Sequence, residues 1–307
     1  MEYRTLGKDG PSVSEVGLGT WSWGSTTYWQ YGKGYGRRDI EETVNRAVEL
    51  GINFLDTAEV YGLGESERLI GDIVPRDQFV IATKYLPLHL IPSTVYSHAI
   101  RSLERMGIRY VDLYQVHFRN PLLSLRATMR DLERLVRDGK IGQIGVSNFD
   151  VDTLDKARSY LSRTDVASNQ VRYNLLHRVP EENGMLSYCQ KERVSLIAWS
   201  PLEQGVLTGK YKPGDKVGGL RRSNRYFRRS RLEAAQPLLK ALEQASAAHG
   251  KDVAQGALAW LLREPQVLVI PGAKNVKQLE ANAGASGWSF MRKELDALDR
   301  AYEMAEF

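Results

Sequence analysis

Ser124-Leu-Arg-Ala-Thr-Met-Arg-Asp-Leu-Glu-Arg-Leu-Val-Arg-Asp-Gly-Lys-Ile-Gly-Gln-Ile-Gly-Val146 holds one complete repeat of the pattern that fixes this fold. Apolar residues recur at three- and four-residue intervals up to Asp138, the signature of an amphipathic helix. Gly139 follows directly, where a helix ends on a left-handed residue. Ile141–Val146 is then short, apolar and rich in branched residues, as in a strand buried on both faces.

Working outward, the same alternation continues in both directions. Further strand-like runs are Glu15–Gly19, Asn53–Asp56, Phe79–Thr83, Val111–Val116, Val166–Gln170, Ser195–Trp199 and Val267–Ile270. The remaining amphipathic stretches are Arg38–Leu50, Glu65–Ile73, Ser93–Met106, Val151–Tyr160, Glu181–Glu192, Leu232–Ala248 and Asn275–Ala283. Gly51 and Gly107 end two of them, and Ser93 after Pro92 is placed to cap a third. Asp252–Arg263 adds a helix before the last strand. Arg4–Val16 reads as a hairpin around Lys8-Asp9-Gly10-Pro11.

Eight strands alternating with helices predict a parallel sheet, either open or closed. No Gly-x-Gly-x-x-Gly follows the first strand, so the open dinucleotide-binding sheet lacks its fingerprint. The expected fold is therefore α/β, a (β/α)8 TIM barrel spanning 1–307 as one domain. It carries an N-terminal hairpin and a long loop, Pro201–Ser230, after strand seven. Loops of that length in compact domains are usually functional.

Composition narrows the function classes. Hydrophobic residues make up 42% and charged residues 26%, with a net charge of +5. Gly219–Arg231 carries six arginines and no acid, so the basic surplus is confined to one loop. A nucleic-acid binder spreads its cations along a stripe. No apolar run reaches the ~18 residues of a membrane span, and Cys189 has no partner for a disulfide. No signal peptide is visible in the opening residues, and a cytoplasmic location is the simplest reading.

In a barrel the chemistry sits where strands end at their C-terminal side. Strand two delivers Asp56, with Tyr61 shortly after; strand three delivers Lys84; strand four delivers His117. Singly, each has an ordinary structural role: a helix cap, a rim aromatic, a loop lysine, a core histidine. Together, on consecutive strands, they form a coherent acid. A phenol with a pKa near ~10 is a poor acid-base catalyst until an ammonium lowers it. Lys84 is expected to do this, held charged by Asp56, while His117 donates to the substrate oxygen or relays a proton. No side chain donates hydride, so reduction by this set requires a redox cofactor.

Gly51-Ile-Asn-Phe-Leu-Asp-Thr-Ala-Glu-Val-Tyr-Gly62, Ile81-Ala-Thr-Lys84, Val111-Asp-Leu-Tyr-Gln-Val-His117 and Ile144-Gly-Val-Ser-Asn148 resemble the aldo-keto reductase superfamily in motif and order. The likeness runs on through Trp199-Ser-Pro-Leu202 to Ile270-Pro-Gly-Ala-Lys274. It implies a catalytic tetrad of Asp56, Tyr61, Lys84 and His117, and use of NADP(H) without metal on a small-molecule carbonyl. It assigns Ser147, Asn148 and Gln170 to the nicotinamide amide. Tyr173 is assigned to stacking under the ring, with Trp199 competing; Gly19, Thr20 and Trp21 line the same pocket.

The run Ser200, Pro201, Leu202, Gly205 and Lys210 resembles a pyrophosphate segment. Pro271, Gly272, Ala273 and Lys274 lead into a helix whose start suits the ribose 2′-phosphate. Gln278 and Asn282 extend this site toward the adenine, where Ala281 departs from the family pattern. The alternative readings of Ser147-Asn148 as a helix cap and of the arginine-rich loop as a solvated run or a subunit contact stay open. Six aromatics between Trp21 and Tyr35 suggest a wall over the substrate, and Arg119 suggests an anionic group on it. Two rival functions remain: a non-catalytic NADP-binding regulator, and an isomerase or hydrolase using Asp56 and Glu59.

Overall fold

A computed structural model describes residues 1–87, 95–215, 217–218, 221 and 223–305. The Ser93 cap, and Gly219, Leu220 and Arg222 of the arginine-rich loop, lie outside the described residues. The chain opens with the hairpin β1 (Tyr3–Thr5) and β2 (Ser12–Ser14). Its turn is made by Gly7, with φ +69°, while Gly10 is not left-handed.

Eight parallel strands follow: β3 (Leu18–Gly19), β4 (Phe54–Asp56), β5 (Val80–Tyr85), β6 (Val111–Val116), β7 (Ile141–Ser147), β8 (Val166–Arg172), β9 (Ser195–Trp199) and β10 (Val267–Val269). Each pairs with the next in order. The ring closes where Gly17 N–H donates to Val269 O at 2.8 Å and Gly19 N–H to Pro271 O at 3.1 Å. A Cβ on Gly19 would stand 2.6 Å from Ile270 O, so the seam tolerates no side chain there.

Helices cover the outside: α1 (Thr26–Trp29), α2 (Arg37–Glu49), α3 (Glu65–Ile73), α4 (Val95–Met106), α5 (Leu125–Arg137), α6 (Val151–Arg158), α7 (Val179–Glu182), α8 (Met185–Glu192), α9 (Arg229–Ala247), α10 (Val253–Leu262), α11 (Val276–Ala283) and α12 (Arg292–Glu303). Gly51, Gly107 and Gly139 take φ of +72°, +64° and +65° at helix ends, as expected. The stretch read as one helix over Glu181–Glu192 is two, interrupted at Gly184 (φ +78°). The helix α12 lies beyond the stretches named from the pattern. None of the described helices is long and apolar enough to cross a membrane.

Two layers of core result. Most buried side chains lie between strands and helices. Inside the barrel, Phe54, Ala82, Leu113, Ile197 and Leu268 pack with Leu6 and Val13 of the hairpin. The hairpin thus fills the N-terminal end and leaves chemistry to the other.

Candidate active site

Strand alternation decides which side chains reach that other end. Phe54, Ala82, Leu113 and Ile197 point into the barrel, and residues two positions on share their face. Those are Asp56, Lys84, Gln115 and Trp199, with His117 one further step along. Tyr61 comes from the turn after β4, where Gly62, Leu63 and Gly64 all have positive φ. A Cβ on Gly62 would stand 2.8 Å from Gly24 O, so this turn packs closely against the loop after β3.

The expected quartet converges. Lys84 Nζ lies 2.5 Å from Asp56 Oδ2 and also donates to Thr57 O at 2.8 Å. It lies 3.4 Å from the Tyr61 hydroxyl and 5.0 Å from its ring centroid. The Tyr61 and His117 rings meet edge-on at 6.0 Å. Behind them, Gln170 Nε2 donates to Asp56 Oδ1 at 2.7 Å, and Gln115 Nε2 donates to the same atom at 3.2 Å. Gln115 had no role in the sequence reading, although it lies two residues before His117 on the same strand face.

Electrostatics correct one expectation. The Tyr61 phenol stands above its ordinary value, because burial outweighs the opposing pull of Lys84. Lys84 is also raised: burial pushes it down, but Asp56 and then Tyr61 push harder the other way. Its ammonium therefore stays charged. Burial, helped by Lys84, drives His117 down to about 3, so its imidazole is neutral. His117 Nδ1 is buried without a partner among the described residues.

Asp56, Tyr61, His117 and Gln170 face a cavity of about 950 Å³. Its aromatic and aliphatic lining includes Trp21, Trp29, Val60, Leu86 and Phe118, with Trp21 6.3 Å from the Tyr61 ring and Phe118 stacked on His117 at 4.7 Å. Gly19, Thr20, Asp56, Ser147, Asn148, Gln170 and Trp199 also line it, as do Ser200, Pro201, Leu202, Gly205 and Lys210. So do Pro271, Gly272, Lys274, Gln278 and Asn282 on the return from β10. Asn148 links two parts of the site: its Nδ2 donates to His117 O at 3.2 Å, and its Oδ1 accepts from Trp199 Nε1 at 3.0 Å. The cap of α6 is Asp150, which accepts from Thr153 N–H at 2.8 Å, so Ser147 and Asn148 are not spent on capping.

Several expected placements fail. Tyr173 is fully buried outside the cavity, against Trp260, with its hydroxyl on Glu181. It follows Gln170 by an odd number of residues and so turns to the outer layer; Trp199 holds the cavity wall instead. Ala273 is buried, its carbonyl accepting from Trp23 Nε1. Arg119 donates to the carbonyls of Asn120 and Leu123 and is not among the described residues lining the cavity. Glu59 is tied to Leu86 N–H and His98 Nδ1, which removes the proposed Asp56–Glu59 acid-base pair. Of the six loop aromatics, Trp23 and Tyr35 are core residues, while Trp21 and Trp29 face the cavity.

The segment after β9 is anchored, not loose. Glu203 is fully buried and accepts from Arg172, Asn174 and Asn224. Tyr226 and Phe227 are buried, with the Tyr226 hydroxyl donating to Leu176 O at 2.6 Å. Arg229 and Arg231 belong to α9, not to the loop.

Comparison with known proteins places this geometry in context. A family model described as "Aldo/keto reductase family" matches residues 15–303. An uncharacterised oxidoreductase of Mycobacterium tuberculosis is 38% identical over 291 residues, covering 94% of this chain and 89% of the relative. The NADH-specific methylglyoxal reductase of Escherichia coli is 30% identical, covering 98% and 100%. The solved aldo-keto reductase of Klebsiella pneumoniae in complex with NADPH is 30% identical, with a TM-score of 0.78 over 98% of this chain and 96% of that one.

Proposed function

This chain belongs to the aldo/keto reductase family, and on that premise we propose that it reduces an aldehyde or ketone with NADP(H), Tyr61 giving the proton. The observation that carries this reading is the Lys84 ammonium held between Asp56 and the Tyr61 hydroxyl beside a large cleft.

The residues present fit the cofactor. Lys210 and Lys274 line the cleft with no carboxylate partner among the described residues, an arrangement suited to phosphate. Ser147, Asn148 and Gln170 would hold the carboxamide, since hydroxyl and amide groups both donate and accept. Trp199 would stack on the nicotinamide, and Ser200, Pro201, Leu202, Gly205 and Lys210 would follow the pyrophosphate. Pro271, Gly272, Lys274, Gln278 and Asn282 would take the adenosine end, with Gly19, Thr20 and Trp21 beneath the ring. When bound, the cofactor supplies the hydride that the protein lacks.

The remaining work is this chain's own. A raised Tyr61 pKa keeps the phenol protonated at neutrality, as a proton donor must be. As the substrate oxygen gains negative charge, Tyr61 passes it a proton. The Lys84 ammonium stabilises the phenolate left behind. Neutral His117 positions the substrate oxygen without competing as an acid. Beyond the quartet, Trp21, Val60, Leu86 and Phe118 give the cavity an aromatic and aliphatic wall, which suits an uncharged carbonyl.

Purified protein should consume NADPH with small aldehydes, and Tyr61→Phe should lose about 10²-fold or more in kcat with NADPH affinity intact. Turnover surviving that substitution would overturn the assignment of the proton donor. An intact donor set weighs against a purely regulatory role.

A further inference from the structure

Gln115 is fully buried and is not among the described residues lining the cleft, yet it is bonded to two residues that do line it. Layers inside a barrel are filled from alternate strands, mostly by branched aliphatic side chains. Asp56, Gln115 and Gln170 come from the alternate strands β4, β6 and β8, and there the filling is polar. The strand between the two glutamines, β7, leaves the way open. Gly145 is the register partner of Gln115, and a Cβ on it would stand 2.7 Å from Gln115 Cγ.

Three hydrogen bonds close a ring. Gln115 Nε2 donates to Asp56 Oδ1 at 3.2 Å, and Gln170 Nε2 donates to the same oxygen at 2.7 Å. Gln170 Nε2 also donates to Gln115 Oε1 at 3.1 Å. The directions are forced. A carboxylate only accepts, so both amides turn their nitrogen toward it. Gln115 then offers its oxygen to Gln170, which spends one N–H on each partner. Gln170 Oε1 has no partner among the described residues, and Gln170 borders the cleft. One hydrogen bond lets an amide turn about that bond; two fix its plane. Asp56 Oδ2 meanwhile holds Lys84 at 2.5 Å. The ring thus reaches the proton donor on one side and the cleft on the other.

We propose that Gln115 is a positioning residue for the reaction: by tying Gln170 to Asp56 it sets the cofactor's carboxamide and the Asp56–Lys84 pair as one unit, with the Gln170 oxygen held out to accept from the carboxamide N–H. This rests on the cofactor reading above and concerns a residue that reading does not use.

Equilibrium titration of the full chain with NADP+ and with its acetylpyridine analogue tests it. The analogue carries a methyl ketone in place of the amide and has no N–H to donate. Wild type should bind NADP+ about tenfold more tightly than the analogue. In Gln115→Met that preference should shrink to about threefold or less, because NADP+ is weakened and the analogue is not. At saturating NADPH, kcat for a small aldehyde should fall about tenfold with its KM within about twofold of wild type. Lost packing alone would weaken both dinucleotides alike. An unchanged preference, equal weakening of both, or an unchanged kcat overturns the proposal, as does a wild type that binds the two equally. Gln115→Leu gives the same readings should the methionine variant melt early. Wild-type protein that binds neither dinucleotide would instead defeat the underlying cofactor reading.

Discussion

Lys84 and Asp56 form an ion pair of 2.5 Å from which solvent is excluded. Such a pair offsets its own desolvation only while both partners remain. Asp56→Asn should therefore cost about 3–5 kcal/mol of stability and lower kcat, because Lys84 would lose the charge that keeps it protonated. A group whose folded pKa is raised contributes stability that is present below its unfolded value and lost as pH rises through the folded one. The wild type should thus lose this contribution only above the ordinary lysine range. The variant should lack it throughout, and chemical denaturation at several alkaline pH values measures the difference.

The direction of turnover should respond to pH through Tyr61. Reduction needs the phenol and oxidation needs the phenolate. Because Tyr61 is raised, the rate of reduction should be flat through neutrality, and the rate of alcohol oxidation should climb toward alkaline pH. Initial rates in both directions across pH 6–10 check this; an oxidation optimum near neutrality would contradict the raised phenol.

His117, at about 3, should leave no inflection near pH 6.5 in kcat/KM. It should be visible in stability instead. Its folded pKa is depressed, so its contribution is present above about 6.5 and is lost as pH falls toward 3. His117→Gln should flatten that acid limb, as read from melting temperature against pH.

Glu203→Gln should destabilise the protein by about 2 kcal/mol, since Arg172 loses its anionic partner at 2.6 Å. Asn224 hangs on the same carboxylate at 2.7 Å, so the segment bearing Arg221 should loosen and NADPH affinity fall. A Glu203→Gln protein with unchanged melting temperature would show that the hub contributes little.

Leu63 combines φ +58° with 91% exposure, a conformation a branched apolar side chain gains nothing by adopting. Leu63→Asn should stabilise by about 1 kcal/mol, detectable as a higher melting temperature.

Much of this was legible in the chain. Helix ends at Gly51, Gly107 and Gly139, and the convergence of Asp56, Tyr61, Lys84 and His117, follow from local pattern and strand order. Period two would also have found Gln115 and rejected Tyr173, since one shares the inward face and the other does not. What pattern could not supply was contact across the barrel. Gln170 reaches Asp56 over 114 residues of chain, and Arg221 and Lys274 both stand over the Trp29 indole at the end of α1. The balance between burial and a neighbouring ammonium at Tyr61 likewise depends on packing that no local period encodes.

The barrel's joint is its thinnest stave. Only Leu18–Gly19 of the first strand is regular, and that joint is stitched by glycine amides to Val269 and Pro271. Gly19 and Gly272 both border the cleft, so a dinucleotide lying there would span the joint like a rivet across a hoop. Amide exchange at Gly17, Gly19 and Val269 should be the first to slow when NADPH is added. Docking the nucleotide and tightening the cask would then be one event.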